Sequence, residues 1–220
     1  MAFPTVQGTP AVNSGTPTTV TVNLPADLAA GELLIAFVAL THTSAATLTP
    51  PAGWETVYNS IGGGNNRRSA CFWRKSDGAE GASFAVTASL STAWATVAYR
   101  VNNWGGIPEG GTLATGVSTT NPDPPNLAPS WGARDTLWFA HMGRNNNSGT
   151  PTAPTDFTNI QRGGTTNASS TVAERQLNAA SLDPGVFTAN SSSWGANTVA
   201  IRPPSMPPFR RPTRFFNRSF

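Results

Sequence analysis

Turn-forming residues interrupt this chain so often that no stretch is left for a long helix. The 220 residues include 21 Gly and 19 Pro, and only 11% are charged, far below the roughly 25% of an average soluble domain. Lys, Glu and Gln, which favour helices, are scarce. Val, Thr and aromatic residues, which favour strands, are frequent. The sequence therefore predicts an all-β fold of short strands joined by tight turns.

About a dozen short runs have the composition and pattern of strands. Residues 33–40 form the longest apolar run, which is too short to span a membrane and is typical of a strand covered on both faces. Together the runs predict an antiparallel β-sandwich or a jelly-roll-like fold. They are residues 18–23, 33–40, 54–59, 69–75, 83–89, 95–101, 112–118, 136–141, 157–162, 171–177, 185–189 and 197–202.

The second half of the chain repeats the first at a spacing of about 103 residues. A turn, an acid and an apolar run occur in both 30–37 and 133–140. The repeat indicates an ancient duplication with two halves that close on one another. The other aligned pairs are Pro51 with Pro154, Trp54 with Phe157, Ala70 with Ala173 and Phe84 with Phe187. Near the end the spacing drops by one, so that Ala98 matches Ala200, and a tryptophan lies just before each, Trp94 and Trp194.

We predict a single sandwich over residues 1–202, built from halves at about 18–105 and 112–202. One half alone has too few strands and would expose the edges of its sheets. Residues 120–130, which are rich in Pro and Asn, are predicted to be an extended linker between the halves.

Three phrases in the first half resemble a recurrent β-sandwich module of tailed-bacteriophage structural proteins. They are residues 31–36 (GELLIA), 50–54 (PPAGW) and 72–84 (FWRKSDGAEGASF). The resemblance covers most of 20–105 and, more weakly, 133–202, where Asp156 and Phe157 replace the Gly-Trp pair. It implies a virion protein of the head-decoration or tail-appendage type, and it carries no catalytic residue across.

The formal net charge is +3, and residues 203–220 account for it. This segment contains four of the 14 basic residues and no acid, and its prolines prevent helix and inner strand. Arg and aromatic residues are enriched at protein interfaces. We therefore predict an extended arm over 203–220 that binds a partner through Phe209, Arg210, Arg211, Arg214, Phe215, Phe216, Arg218 and Phe220.

The expected partner of the arm is the major capsid protein or another virion protein, with contacts between neighbouring copies or a homo-oligomer. Nucleic acid is the rival partner, through phosphate neutralisation and base stacking. Four charges without a lysine cluster make it the weaker alternative. No signal peptide is predicted, because the first residues contain neither a basic segment nor an apolar stretch. We therefore expect synthesis in the host cytoplasm, and no membrane partner.

No residue pattern indicates catalysis or a cofactor. His42 and His141 are predicted to be hydrogen-bonded histidines at strand ends, because no second metal ligand accompanies either. No Gly-x-Ser-x-Gly turn or phosphate loop is present. Most acids fall at turns or strand entries, where capping explains them. Cys71, the only cysteine, is predicted to be a buried thiol. We expect a protein that is not an enzyme and needs no metal or cofactor.

The seven tryptophans leave one alternative function open. Trp54, Trp73 and Trp94 fall in strand patterns and are predicted to be core residues. Trp104 and Trp131 lie beside turns and are predicted to be partly exposed, where they could stack on a sugar. The sequence thus favours a capsid decoration (cement) protein on the exterior of a tailed-phage head, and the alternative is a glycan-binding module of a tail appendage.

Overall fold

The computed structural model describes residues 2–42, 46–62 and 67–205, which contain fourteen strands and no helix. In this part of the chain no helix could therefore cross a membrane. The prediction of an all-β antiparallel sandwich is confirmed. The strands are β1 (Thr5–Gly15), β2 (Thr19–Asn23), β3 (Leu33–Thr41), β4 (Leu48–Thr49), β5 (Glu55–Gly62), β6 (Arg67–Lys75), β7 (Ser83–Ala88), β8 (Ala93–Asn102), β9 (Glu109–Gly110), β10 (Ala114–Thr119), β11 (Arg134–Arg144), β12 (Thr158–Thr165), β13 (Ala168–Ala179) and β14 (Ser192–Ile201).

Two large sheets repeat the same strand order. Sheet I has the order β1-β8-β3-β6-β5, and sheet II has the order β10-β14-β11-β13-β12, with β9 also paired to β14. Each strand of sheet I therefore has a counterpart at the same position of sheet II. The edge strand β1 lies over β12, and the edge strand β10 lies over β5. This arrangement has the form of a pseudo-two-fold axis that passes between the sheets.

The central core lies between sheets I and II and contains residues of both halves. Leu33, Ile35 and Phe37 of β3 point into it from one side, and Leu137 and Phe139 of β11 point into it from the other. The opposite face of β3 is buried as well, as predicted for residues 33–40. Neither half encloses this core alone, because each supplies only one of its two walls.

An outer layer covers the far face of each large sheet. On sheet I this layer is the small sheet β2-β7-β4, whose Val20, Val22 and Val86 are fully buried against it. On sheet II the equivalent layer is nearly free of regular strand. There Leu127 pairs with Leu182 as an isolated bridge, and both side chains are buried.

This outer layer corrects two predictions. Residues 120–130 are not a linker between the halves, because they bond to 182–189 along the face of sheet II: the Phe187 amide donates to the Pro122 carbonyl and the Ala189 amide to Thr120. Residues 185–189 are not a strand, because only the bridge of Thr152 with Thr188 forms there. Prolines at 122, 124, 125 and 184 remove the amide donors that a regular ladder needs.

Trp54 and Phe157 occupy equivalent places in the two halves. Each follows a residue with positive φ, which is 84° at Gly53 and 65° at Asp156. Asp is one of the few residues with a side chain that tolerates this conformation. Each backbone amide donates to the proline carbonyl three residues earlier, at 3.2 and 3.1 Å. Both rings are buried under the outer layer of their sheet.

The register of the repeat differs by one residue on β3 and β11. A spacing of 103 would make Phe37 equivalent to Ala140, but these side chains lie on opposite faces of their sheets. Side chains alternate along a strand, so a shift of one residue exchanges the two faces. Phe37 is equivalent to Phe139, which also points into the central core. The spacing on these strands is therefore 102.

Candidate functional site

The residues predicted to bind a partner, Phe209 to Phe220, lie outside the described residues. The root of the arm is described. Ile201 ends β14, and the carbonyl of Arg202 accepts a hydrogen bond from the Gly105 amide at 2.9 Å. Pro203 is buried, and the backbone of Pro204 comes so close to Gly105 that a Cβ there would lie 2.7 Å from it. The arm therefore leaves the body from a fixed point.

A shallow pocket of about 470 Å³ lies beside this root. Its wall includes Trp131, with the Arg202 guanidinium 5.9 Å from the centre of the ring. The rest of the indole packs against the outer core of sheet II, and its Nε1 donates to Thr136 at 3.2 Å. Trp131 is thus partly exposed, as predicted, but a sugar would have to displace Arg202 to stack on it.

Trp104 is also partly exposed, and it too is engaged. Its Nε1 donates to the carbonyl of Gly31 at 2.9 Å, and its ring meets Trp73 edge-on with centroids 5.9 Å apart. Trp54, Trp73 and Trp94 are buried, which confirms that they belong to the core. Both partly exposed indoles therefore have neighbours at the ring, Arg202 at Trp131 and Trp73 at Trp104.

A polar chain crosses the central core at His141. The Tyr58 hydroxyl lies 2.5 Å from Nδ1 of His141, and Ser170 Oγ lies 3.0 Å from Nε2. Burial raises the pKa of Tyr58, which keeps its hydroxyl a donor. A neutral imidazole with its proton on Nε2 satisfies both bonds. Burial also lowers the pKa of His141 to about 3, so the ring stays neutral near pH 7.

This set of hydrogen-bonded side chains resembles the nucleophile–histidine pair of a hydrolase only in its residue types. His141 and Ser170 are both fully buried between the sheets, and the third member is a tyrosine rather than an orienting carboxylate. The prediction that His141 is hydrogen-bonded is confirmed, but the residue lies within β11 rather than at a strand end, whereas His42 directly follows β3. Cys71 is fully buried and burial raises the pKa of its thiol, which confirms the prediction of a buried cysteine.

Several acids at turns bond to the backbone of their own turn. Asp77 and Glu80 accept bonds from backbone amides of their own turn at 2.8 Å, as predicted for turn capping. Asp183 accepts from the Gly185 amide at 3.2 Å. Within the described ranges no group of three or more His, Cys, Asp or Glu side chains could hold a metal ion.

Two arginines hold the Asn-rich loop of residues 145–149. Arg144 is fully buried and donates to the carbonyls of Asn190 and Ser148, both at 3.3 Å. Arg162 donates to the carbonyls of Gly149 and Asn147, both at 2.5 Å. Burial, and then the neighbouring charge of Arg162, lower the pKa of Arg144 to about 10. The loop is therefore tied to β11 and β12, and both arginines remain charged near pH 7.

Sequence reasoning missed a groove between the edge strands β1 and β12, which we call the Glu174 groove. One wall is residues 5–10, the other is residues 158–161 and 174–176, and Leu137 lies at one end. It comprises two adjoining hollows of about 310 Å³ each. Both strands are irregular here: the register shifts between Gln7 and Ala11 and between Thr158 and Gln161. Bulges of this kind redirect side chains, often beside functional sites.

Comparisons with protein-family models, with curated proteins and with solved structures found no match for this chain. The likeness to a phage structural module therefore rests on the sequence phrases of residues 31–84.

Proposed function

We propose that this chain is a non-enzymatic structural protein of a tailed-phage virion, most specifically a decoration protein that binds the outer surface of the capsid and stabilises it. The two-sheet body is the rigid part, and residues 203–220 are the attaching arm. The partner is the major capsid protein or another virion protein. Support comes from the sequence phrases, from the arm's composition and from the way the arm leaves the body.

The observation that carries this proposal is the fixed root of a basic, aromatic arm. The Gly105–Arg202 bond and the buried Pro203 hold the start of the arm against the body. Five prolines lie between 203 and 212, which lowers the chain entropy lost when the arm docks. An arm that is restrained at its root and by its prolines loses less freedom on binding than a flexible tail does.

Burial of the polar network supports a role without catalysis. A substrate must reach the reacting groups, but His141 and Ser170 have no exposed surface. The glycan-binding alternative is less well supported, because Arg202 covers the ring of Trp131 and Trp73 meets the ring of Trp104. In this proposal the two-sheet body is a rigid cover on the outer surface of the capsid.

Counting copies on purified particles tests this proposal directly. A decoration protein repeats with the capsid lattice, whereas a tail appendage occurs in a few copies. Quantitative mass spectrometry against the major capsid protein should give a ratio set by the lattice. A ratio of a few copies for each particle, together with retention on a glycan array, would instead favour the appendage.

A further inference from the structure

Two buried polar atoms, one in the Glu174 groove and one in the central core beside it, lack hydrogen-bond partners in the described structure. Asn159 donates to one carboxylate oxygen of Glu174 at 2.6 Å, but the other oxygen, Oε2, has none. The Tyr99 hydroxyl, on fully buried Tyr99, has none either. Leaving such a group unsatisfied costs about 1–3 kcal/mol, so each calls for an explanation.

The two groups are near each other, because the Tyr99 ring packs on Phe139 with centroids 4.8 Å apart and Phe139 is the cross-strand partner of Glu174. Burial raises the pKa of Tyr99, and the nearby charge of Glu174 raises it further. Burial likewise raises the pKa of Glu174 itself, although the bond from Asn159 lowers it. The neighbouring Arg175 does not neutralise Glu174, since its guanidinium pairs with Asp156 at 3.0 Å. A carboxylate in this position is best satisfied by a cation with several N–H donors.

The groove is elongated, so it suits an extended peptide segment better than a compact ligand. It runs between two edge strands, and its two hollows adjoin at Val6, Asn159 and Glu174. Val6, Pro10 and Leu137 supply apolar surface along its length. A guanidinium fits the carboxylate, while apolar neighbours of that arginine would contact this surface.

We propose that the Glu174 groove binds an arginine of residues 206–220 from a second copy of this chain. This inference rests on the proposed function of the arm and adds a second partner, a neighbouring subunit. The arm contains four arginines beside four phenylalanines and no acid, so its charge complements Glu174. Fifteen residues in an extended polyproline-like form reach about 46 Å, far enough to meet another molecule.

The arm's root lies on sheet II, which supplies one wall of the groove. Ile201 pairs with Leu137 on the neighbouring strand, and Leu137 contributes to the groove. The root is thus near the groove of its own molecule, and in a two-fold pair the neighbour's groove and arm are related in the same way, so an exchange between the two molecules is reciprocal.

The test is sedimentation velocity of the full chain over a wide range of concentration. Three variants are compared with it: Glu174→Gln, a chain with Arg210, Arg211, Arg214 and Arg218 all changed to Gln, and the control Glu55→Gln, an exposed acid on β5, the counterpart of β12 in sheet I. Glu174→Gln keeps the side-chain shape and can still bond to Asn159. We expect the full chain and the control to dimerise, and the other two variants to associate about 10- to 100-fold more weakly.

A mixture of the two weak variants distinguishes exchange from self-contact. The Glu174→Gln chain still donates an intact arm, and the arginine-free arm variant still has an intact groove. Mixing them should restore association in part, because the mixed pair can form one of the two arm–groove contacts. A monomeric full chain, unchanged dimerisation of Glu174→Gln, or a mixture that stays monomeric would each overturn the proposal. Particle binding is assayed separately: monomeric Glu174→Gln that still attaches through its arm leaves the proposed function intact.

Discussion

Phe37 and Phe139 are equivalent residues of the two halves, and they touch each other across the central core with ring centroids 5.4 Å apart. Tyr99 extends this cluster, at 4.8 Å from Phe139 and 6.1 Å from Phe37. A contact between equivalent residues is what a two-fold interface produces. The duplicated halves of one chain thus meet much as two subunits of a dimer do.

Truncating either ring should destabilise the whole molecule by a similar amount. Phe37→Ala and Phe139→Ala each leave a cavity in a core with no exposed surface, so each should lower the free energy of unfolding by about 3–5 kcal/mol. Urea denaturation measures this change. Val117→Ala, at a site 57% exposed on β10, is the matched control and should change it little. Losses below about 1 kcal/mol at both phenylalanines would contradict a shared core.

Residues 1–119 alone should not form a stable monomer. This fragment contains all of sheet I and the small sheet, but it exposes the apolar face that sheet II covers, including Leu33, Ile35 and Phe37. We expect an insoluble or molten product, checked by near-UV circular dichroism and size-exclusion chromatography. Cooperative unfolding of a soluble monomer would mean that the halves are independent domains.

A tryptophan packs over a glycine of the edge strand in each half. A Cβ added to Gly15 would lie 2.6 Å from the Trp94 ring, and one added to Gly116 would lie 2.5 Å from Trp194. Gly15→Ala and Gly116→Ala should therefore each destabilise the fold by about 1–3 kcal/mol through overpacking. Thermal unfolding reports the loss, with exposed Thr115→Ala on β10 as the control. Unchanged melting temperatures would show that the indoles can move aside at no cost.

Acid should destabilise the fold through His141. Its pKa is about 3 in the folded chain and about 6.5 when unfolded, so the unfolded chain binds the proton first. Stability is therefore complete above pH 6.5 and falls as pH drops from 6.5 towards 3. Between pH 6.5 and 5 the fall should be about 2 kcal/mol greater than in His141→Gln, which has no imidazole to protonate. Urea titrations of both proteins at each pH give this difference, and parallel curves would exclude the effect.

The strand composition predicted the fold class well, because β-favouring runs between Gly and Pro turns leave few alternatives. β1 escaped prediction because Gly8, Pro10 and Gly15 interrupt its sequence. The structure accommodates this sequence at the sheet edge, where the register shift and the positive φ of Gly8 fit an irregular strand. Conversely, 185–189 had the pattern of a strand without a regular partner, since the facing segment is rich in proline.

The groove could not be predicted from the spacing of residues in the sequence, because its walls come from different strands. The alternation on β13 makes Glu174 face inward like Val172, and this alternation is the one sequence signal that could have singled it out. Its environment comes from β12, its hairpin partner, and from β1 and β8, which are distant in sequence. The arm was visible in the sequence because its composition, rather than its contacts, sets it apart.

Attachment through the arm is the central claim, and removing residues 206–220 tests it most directly. The cut lies after Ser205, so the Arg202 bond and the buried Pro203 remain in place and the body should stay folded. Binding to particles stripped of the protein is measured by cosedimentation for the full chain, the truncated chain and a Phe215→Ala, Phe216→Ala variant.

The account predicts that the truncated chain no longer binds. It also predicts that the double variant binds weakly even at high salt, where an arm held by charge alone would already have been released. Unchanged affinity of the truncated chain would contradict the account and move the binding face to the body, with the loop of residues 145–149 as the next candidate.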